Sequence, residues 1–518
     1  MNSKAVLLSA AGLFFAAVVL PLCALIFRAF INDGGVAAES LTSVFHKDVL
    51  QSIGNSLIIS TAVSLSSVLL GCCFAFLFLK TTILFFKFLR LLLLLPLLLP
   101  SYVICVAWND VWLFAGVYKD FIYSLPAVVF ILTTIYTPLA AFIIQAGLKN
   151  INARMEEAGM MITSYKEVFF KIVLPLLRPA LFSSFILIFI LSLSEFAVPS
   201  YLSIPVFTTE IFIQFSAFYN YSLAITQSII LTSICLLLLL PEKKYLTKEH
   251  FFSFGKKTFR FRVFELRNRT LTQIVVMLYI IFTVLVPVGF LTAQTFSKTG
   301  SSFLTIIKPL LPSLKDSFFI GIAGAFMITM YGLIFSWLTV QFKIKFLQTF
   351  LLLVFAVPSI VIGISLILFY NTPSLSFIYS SKLIILVAFM ARFLFISVKI
   401  ISDSLQQIPV SYTDAACITG AKPFYVFRRI TFPLLGESLF TSFFIILIFC
   451  LNELSTIIMI YPPGTSLLPV TIFTRTANAP QYVVSGMSLV SLLFTIVILI
   501  CMFFGKKMLF NQQWRTSR

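Results

Sequence analysis

Apolar runs of about 20 residues recur along the whole chain, broken by short polar stretches, and the pattern predicts twelve membrane-spanning helices. They cover approximately 6–29, 54–79, 88–115, 121–146, 179–197, 223–240, 271–293, 314–341, 347–369, 380–402, 437–457 and 484–504. Each is long enough to cross a hydrocarbon core of about 30 Å as a helix. The short alternating segments of a transmembrane barrel are absent from the pattern. The expected fold class is an all-α polytopic membrane protein. The first run starts directly after Met1–Lys4, as a cleaved leader would, but its apolar stretch from Ala5 to Phe30 is longer than a usual signal core, so it is expected to be retained.

Two polar interruptions stand out against this background. "MEEAGMMITSYKEVFFKIVLPLL" occupies 155–177 and "TDAACITGAKPFYVFRRITFPLL" occupies 413–435, an offset of 258. The same offset lays "LPSYVICVAW" (99–108) on "VPSIVIGISL" (357–366), and "LSLSEFA" (191–197) on "FCLNELS" (449–455). Three landmarks in one register point to an internal duplication. Six spans per half is an even number, so both halves enter and leave on the same side, as parallel repeats do. The expected organisation is a first six-helix repeat over 1–240, a linker over 241–270 and a second repeat over 271–518.

Composition agrees and charge adds orientation. Of 518 residues, 60% are hydrophobic and 11% charged, with a mean hydropathy of +1.06; soluble domains carry roughly 25% charged residues. The net charge is +19, but 27 of the 37 Lys and Arg fall in segments that the twelve-span topology places on one side. The positive-inside rule then puts both termini, both interruptions and the linker in the cytoplasm of a multi-pass membrane protein. The linker itself holds nine basic residues against three Glu. This excess is orientation signal and attraction to anionic membrane lipid, not a nucleic-acid surface. The eight cysteines lie mostly inside spans with no C-x-x-C pair, and read as buried small hydrophobes rather than a disulfide or metal framework.

The second interruption has a local logic. Ser411 and Thr413 offer an N-cap, Asp414 sits in the first turn, Ala415 and Ala416 follow, and Gly420 stands where a short helix stops. A helix with an alanine face, bounded by an acid and a glycine, suits close docking against another protein. The series Asp414-Ala415-Ala416, Gly420 and Ile430-Thr431-Phe432-Pro433 resembles the cytoplasmic loop of inner-membrane permeases of binding-protein-dependent ABC importers. In that family the loop is a coupling helix seated in a cleft of an ATP-binding subunit. The resemblance therefore implies two copies of a cytoplasmic ABC ATPase, which carry the ATP and Mg, and an external or periplasmic substrate-binding protein.

The first copy departs from the pattern. Without a gap, Glu156-Glu157-Ala158 takes the motif and Ile162 replaces the glycine. If "LKNI" (148–151) is matched to "LQQI" (405–408), Glu157-Ala158-Gly159 takes it, with Thr163 at the glycine position and one residue deleted afterwards. Neither register keeps the glycine, so this helix is expected to end differently. The resemblance covers nearly the whole chain and looks like the fused twelve-span group that imports ferric iron, thiamine or aminoethylphosphonate. "SEFAVPSYLSIPVFTTEIF" (194–212) looks like its iron-type members, so ferric iron is the first expectation for the substrate.

Acids inside a membrane need a reason, costing about 2.5–3.5 kcal/mol each on insertion scales. Glu195 and Glu453 hold equivalent places in the fifth and eleventh spans; they are expected to face one another across the pathway or to fix helix packing, with Asn452 beside the second. Arg392, deep in the tenth span, reads as half of a structural ion pair or a contact for the substrate's negative charge. Pro100 and Pro358 are predicted to kink the third and ninth spans. No G-x-x-x-x-G-K-[ST] run, H-E-x-x-H or nucleophile elbow is present, so the chain has no recognisable ATP site, cofactor or catalytic constellation of its own. A secondary transporter driven by an ion gradient also fits twelve spans and two membrane acids, but leaves the two alanine-rich interruptions unexplained.

Overall fold

The computed structural model describes residues 3–31, 44–81, 85–149, 151, 153–246, 269–297 and 303–510. Within these, ten helices are long and apolar enough to cross a membrane. They are α1 (Ser9–Arg28), α2 (Lys47–Lys80), α5 (Leu125–Lys149), α7 (Lys166–Leu193), α8 (Tyr221–Leu239), α9 (Thr270–Thr295), α10 (Phe303–Val340), α13 (Leu383–Leu405), α15 (Phe424–Asn452) and α16 (Gln481–Leu509). Two bent pairs complete the set of twelve: α3 (Phe88–Leu98) with α4 (Ser101–Phe114), and α11 (Phe346–Ala356) with α12 (Ser359–Tyr370). Two short helices carry the interruptions, α6 (Ala153–Met160) and α14 (Val410–Ile418). The linker reading falls mostly on 247–268, outside the described residues.

The third and ninth spans are broken rather than kinked. The chain turns by 101° between α3 and α4 and by 95° between α11 and α12. Leu99 and Val357, each preceding a proline, adopt extended ψ values of 151° and 128°. The proline ring disfavours the helical region for the residue before it and has no N–H to continue the ladder. Ser101 and Ser359 then start a new helix. Both breaks lie at the same place in the 258-residue repeat.

The chain forms two compact units whose membership cuts across the sequence halves: Met1–Arg28, Pro309–Thr471 and Ser491–Arg518 in one, Ala29–Lys308 and Ile472–Val490 in the other. Each half therefore lends its first span to the unit built mainly from the other half. In the first unit, Phe14 of α1 packs edge-on against Phe335 of α10 with ring centroids 5.3 Å apart, and Tyr370 donates to the Ala17 carbonyl at 3.0 Å. In the second unit, Val276, Ile280 and Val284 of α9 join Phe74, Phe78, Leu89, Leu93 and Ala141 in one core.

The long spans pack through small polar side chains. Ser52, Ser56, Ser60, Ser64 and Ser67 form a buried stripe along α2 at intervals of three and four residues, while Ile58, Leu65 and Leu69 on its other faces are exposed. Lipid is as apolar as leucine, so small residues that allow close approach decide which face turns inward. The same logic corrects the cysteine reading. Cys105, Cys235 and Cys450 are buried, but Cys23, Cys73 and Cys501 are exposed on apolar membrane helices.

Candidate functional site

The two interruptions fold as a repeated device. In both, a short helix is followed by four residues and a further turn of helix (Tyr165–Val168, Pro423–Val426). A π-turn comes next (Phe169–Val173, Phe427–Thr431), and then the long span begins. Equal π-turns lie within α1 (Phe15–Val19) and α9 (Ile281–Leu285), so the π-turn is a feature of the repeat and does not by itself mark a site.

Exposure settles the register of the first copy. Glu157 and Ala158 are exposed and Gly159 is half-buried, as Asp414, Ala415 and Ala416 are in the second. Glu157-Ala158-Gly159 is therefore the structural counterpart of Asp414-Ala415-Ala416. The helix starts correspond at an offset of 257 and the ends at 258, so α14 is one residue longer. Glu156 is not on this exposed face. It is fully buried, and its Oε1 accepts from Lys80 Nζ at 2.6 Å at the end of α2.

The two helices also end differently. Gly420 has φ +78°, the left-handed region that glycine enters without steric cost, and Ala421 N–H returns to the Ala416 carbonyl at 3.1 Å. In the first copy the chain turns without a positive φ. Ile162 N–H and Thr163 N–H both reach the Gly159 carbonyl, at 3.1 and 3.0 Å, and the Thr163 side chain hydrogen-bonds Glu167. Gly159 matters for close packing instead. An added Cβ would lie 2.8 Å from Ile172 Cδ1, the movable end of a side chain at the start of α7.

Both devices present apolar side chains that the sequence pattern does not single out. Met161 and Ile162 are each 89% exposed and Ile418 is 87% exposed, with Met155 and Tyr412 about half exposed beside them.

The two membrane glutamates lie beyond helix ends rather than within helices. The helical part of α7 ends at Leu193 and α15 ends at Asn452, one or two residues before Glu195 and Glu453. Glu195 Oε1 accepts from Ser101 Oγ at 2.9 Å and from Ala197 N–H at 3.2 Å, and Tyr136 reaches Oε2 at 3.4 Å. It thus joins the start of α4 to the short helix Ala197–Tyr201. Glu453 Oε1 accepts from both the N–H and the Oγ1 of Thr456, at 2.9 and 3.0 Å, and leads into the short helix Ile457–Ile460. After each of these, a buried serine of a long span pins the next helix: Ser56 accepts from Phe207 N–H at 2.8 Å, and Ser317 accepts from Leu468 N–H at 2.7 Å. Both glutamates are half-buried and each sits in its own compact unit.

Arg392 pairs with carbonyls and a ring, and with no acid among the described residues. Its Nη1 donates to Phe355 O at 3.3 Å and Val357 O at 3.4 Å, and its guanidinium lies 5.6 Å from the centre of the Phe355 ring. These carbonyls belong to the end of α11 and the residue that precedes Pro358, where a terminated helix leaves its last C=O groups without partners. Arg392 therefore holds the break of the ninth span.

Asp110 is a buried acid that the sequence does not advertise. It lies in α4, accepting from Gln481 Nε2 and Ser485 Oγ at 2.6 Å each, so the start of α16 is tied to α4 within one unit. Tyr201 also hydrogen-bonds Gln481. Among the described residues no group of three or more His, Cys, Asp or Glu is placed to hold a metal ion.

Comparison with known proteins bears on this geometry directly. The family described as "Binding-protein-dependent transport system inner membrane component" matches twice, over residues 67–241 and 342–511. The Fe(3+)-transport system permease protein FbpB 2 of Haemophilus influenzae is 24% identical over 485 residues, covering 92% of this chain and 94% of that protein. The ferric transport system permease protein FbpB of Actinobacillus pleuropneumoniae is 24% identical over 545 residues, covering 96% of this chain and 77% of that protein. A putative 2-aminoethylphosphonate transport system permease protein, PhnV of Salmonella typhimurium, is 27% identical over 194 residues, covering 37% of this chain and 72% of that protein. Each of the two family matches contains one interruption device and one of the two membrane glutamates. The chain belongs to the inner-membrane permeases of binding-protein-dependent ABC importers, with two copies of the family's domain fused in one polypeptide.

Proposed function

We propose that this chain is the non-catalytic translocating subunit of an importer whose energy comes from ATP hydrolysis on separate subunits. One copy of a cytoplasmic ATPase docks on α6 with its following turn, and a second copy docks on α14. The observation that carries this reading is the repeated pairing of a short exposed helix with nearly bare apolar knobs, Met161 and Ile162 in one copy and Ile418 in the other. Both termini and both docking helices lie in the cytoplasm, and an external binding protein delivers the cargo on the opposite side. Closure of the ATPases moves α6 and α14 and switches the pathway between inward- and outward-facing states, with Glu195 and Glu453 contributing to its outer part. The cargo is ferric iron; its support is the ferric-iron names of two relatives aligned along nearly the whole chain.

The test is uptake into proteoliposomes holding the chain, its ATPase and its binding protein. Uptake of ferric iron is expected to need ATP and to survive a collapsed ion gradient. Uptake that instead follows the gradient refutes the ATP-driven reading. Competition by thiamine or 2-aminoethylphosphonate but not ferric iron refutes the choice of cargo alone.

A further inference from the structure

The ion pair between Lys80 and Glu156 is unlike the other four ion pairs described. Its side chains are 1% and 0% exposed, whereas each of the others keeps at least 11% exposure on both partners. It joins the last residue of α2 to the middle of α6. The second carboxylate oxygen, Glu156 Oε2, is buried with no hydrogen-bond partner among the described residues. Stability does not explain such a pair. Removing two ions from water costs several kcal/mol each, and a well-packed apolar pair of similar volume is often as stable or more so.

A short charge-assisted hydrogen bond does something an apolar contact does not: it fixes a distance and a direction. α6 has eight residues, too few to hold a helix in place without contacts from outside. This pair ties it to α2, and Gly159 packs against Val168 and Ile172. α14 is attached differently. Its counterpart to Glu156 is Thr413, its one charged residue is Asp414, and Asp414 is exposed and makes no ion pair among the described residues.

We propose that Lys80 and Glu156 are positioning residues that carry the displacement of the first docking helix into α2, and that the two docking helices are mechanically unequal. The first is tied to a span by a buried charge pair; the second makes no ion pair among the described residues. This inference rests on the ATPase-docking reading above and adds the transmission route.

The experiment uses the full complex in proteoliposomes, reading cargo transported per ATP hydrolysed, ATPase co-purification and thermal unfolding in detergent. Glu156→Gln and Lys80→Met are expected to retain bound ATPase yet lower the transport-to-hydrolysis ratio by about an order of magnitude, the scale of one lost charge-assisted hydrogen bond. The exchanged pair Lys80→Glu with Glu156→Lys restores most of the ratio. The apolar pair Lys80→Met with Glu156→Met covers the case in which a single variant fails to fold. It unfolds at the wild-type temperature or above, and its ratio stays low. An unchanged ratio in the apolar pair, or in single variants that fold, overturns the inference and leaves a purely structural pair. A wild-type chain that binds no ATPase overturns the docking reading instead, so the two failures are distinguishable.

Discussion

Gly420 offers the sharpest test of how the second docking helix is built. A Cβ added there meets no atom within 4 Å, so contact with the rest of the chain contributes nothing to the cost of substitution. What remains is the backbone, held at φ +78°. An L-residue in the left-handed region costs about 1–2 kcal/mol, which lowers the population of the correctly ended helix by roughly 5- to 30-fold. If the ATPase binds only that state, its apparent affinity falls by the same factor. Asparagine visits this region more readily than alanine, and a β-branched residue least of all. The expected order of loss, from mildest to most severe, is therefore Gly420→Asn, then Gly420→Ala, then Gly420→Val. Titration of the purified ATPase onto the chain, followed by ATP-driven uptake, reads this series. A loss that follows side-chain size, with alanine milder than asparagine, refutes the backbone argument and makes Gly420 a contact surface. Gly159→Ala is the counter-case. Its Cβ meets only the ends of Ile172 and Val168, at 2.8 and 3.0 Å, and the gain in helix propensity of about 1 kcal/mol offsets their displacement. Near-normal binding is expected there, and a loss as large as that of Gly420→Ala contradicts the asymmetry between the copies.

Three further outcomes follow from the membrane-embedded polar groups. Replacing Glu195 and Glu453 together by Gln keeps one acceptor oxygen on each but removes both charges; uptake is expected to fall at least about tenfold, corresponding to roughly 1.4 kcal/mol of lost attraction for a cation, and unimpaired uptake removes both from the pathway. Arg392→Met removes the Nη1 group that donates to both Phe355 O and Val357 O, which at about 1–3 kcal/mol lowers the melting temperature in detergent; a melting curve superimposable on wild type refutes the role of Arg392 in holding the break. Asp110→Asn turns an amide donor toward Gln481 Nε2 or Ser485 Oγ, both of which already donate, so destabilisation of about 1–3 kcal/mol is expected by the same measurement. Wild-type stability there means that the tie between α4 and α16 contributes nothing.

Much of the architecture is legible as pattern. The spacing of apolar runs, the Pro100 and Pro358 landmarks and the two interruptions are local properties of the chain, and an internal duplication makes each of them visible twice. Asp110 is hidden for the converse reason: its place in the second half is taken by Leu368, so no repeat draws attention to it. Glu156 is ambiguous in the sequence because two adjacent glutamates satisfy the docking pattern in either register, and only exposure separates the one facing out from the one facing Lys80.

The sequence by itself marked the apolar runs, their duplication and the positions of the two short helices α6 and α14, and its basic residues supplied an expected sidedness. These depend on length, periodicity and charge count, which a linear chain carries openly. Only the tertiary structure decided that each first span joins the unit of the other half, that Arg392 serves a broken helix, and that the third and ninth spans turn by about a right angle. The physical reason is the solvent. In lipid both faces of a span are apolar, so hydrophobicity does not mark the packed face, and the partners of a helix are chosen by small residues and a few buried polar atoms.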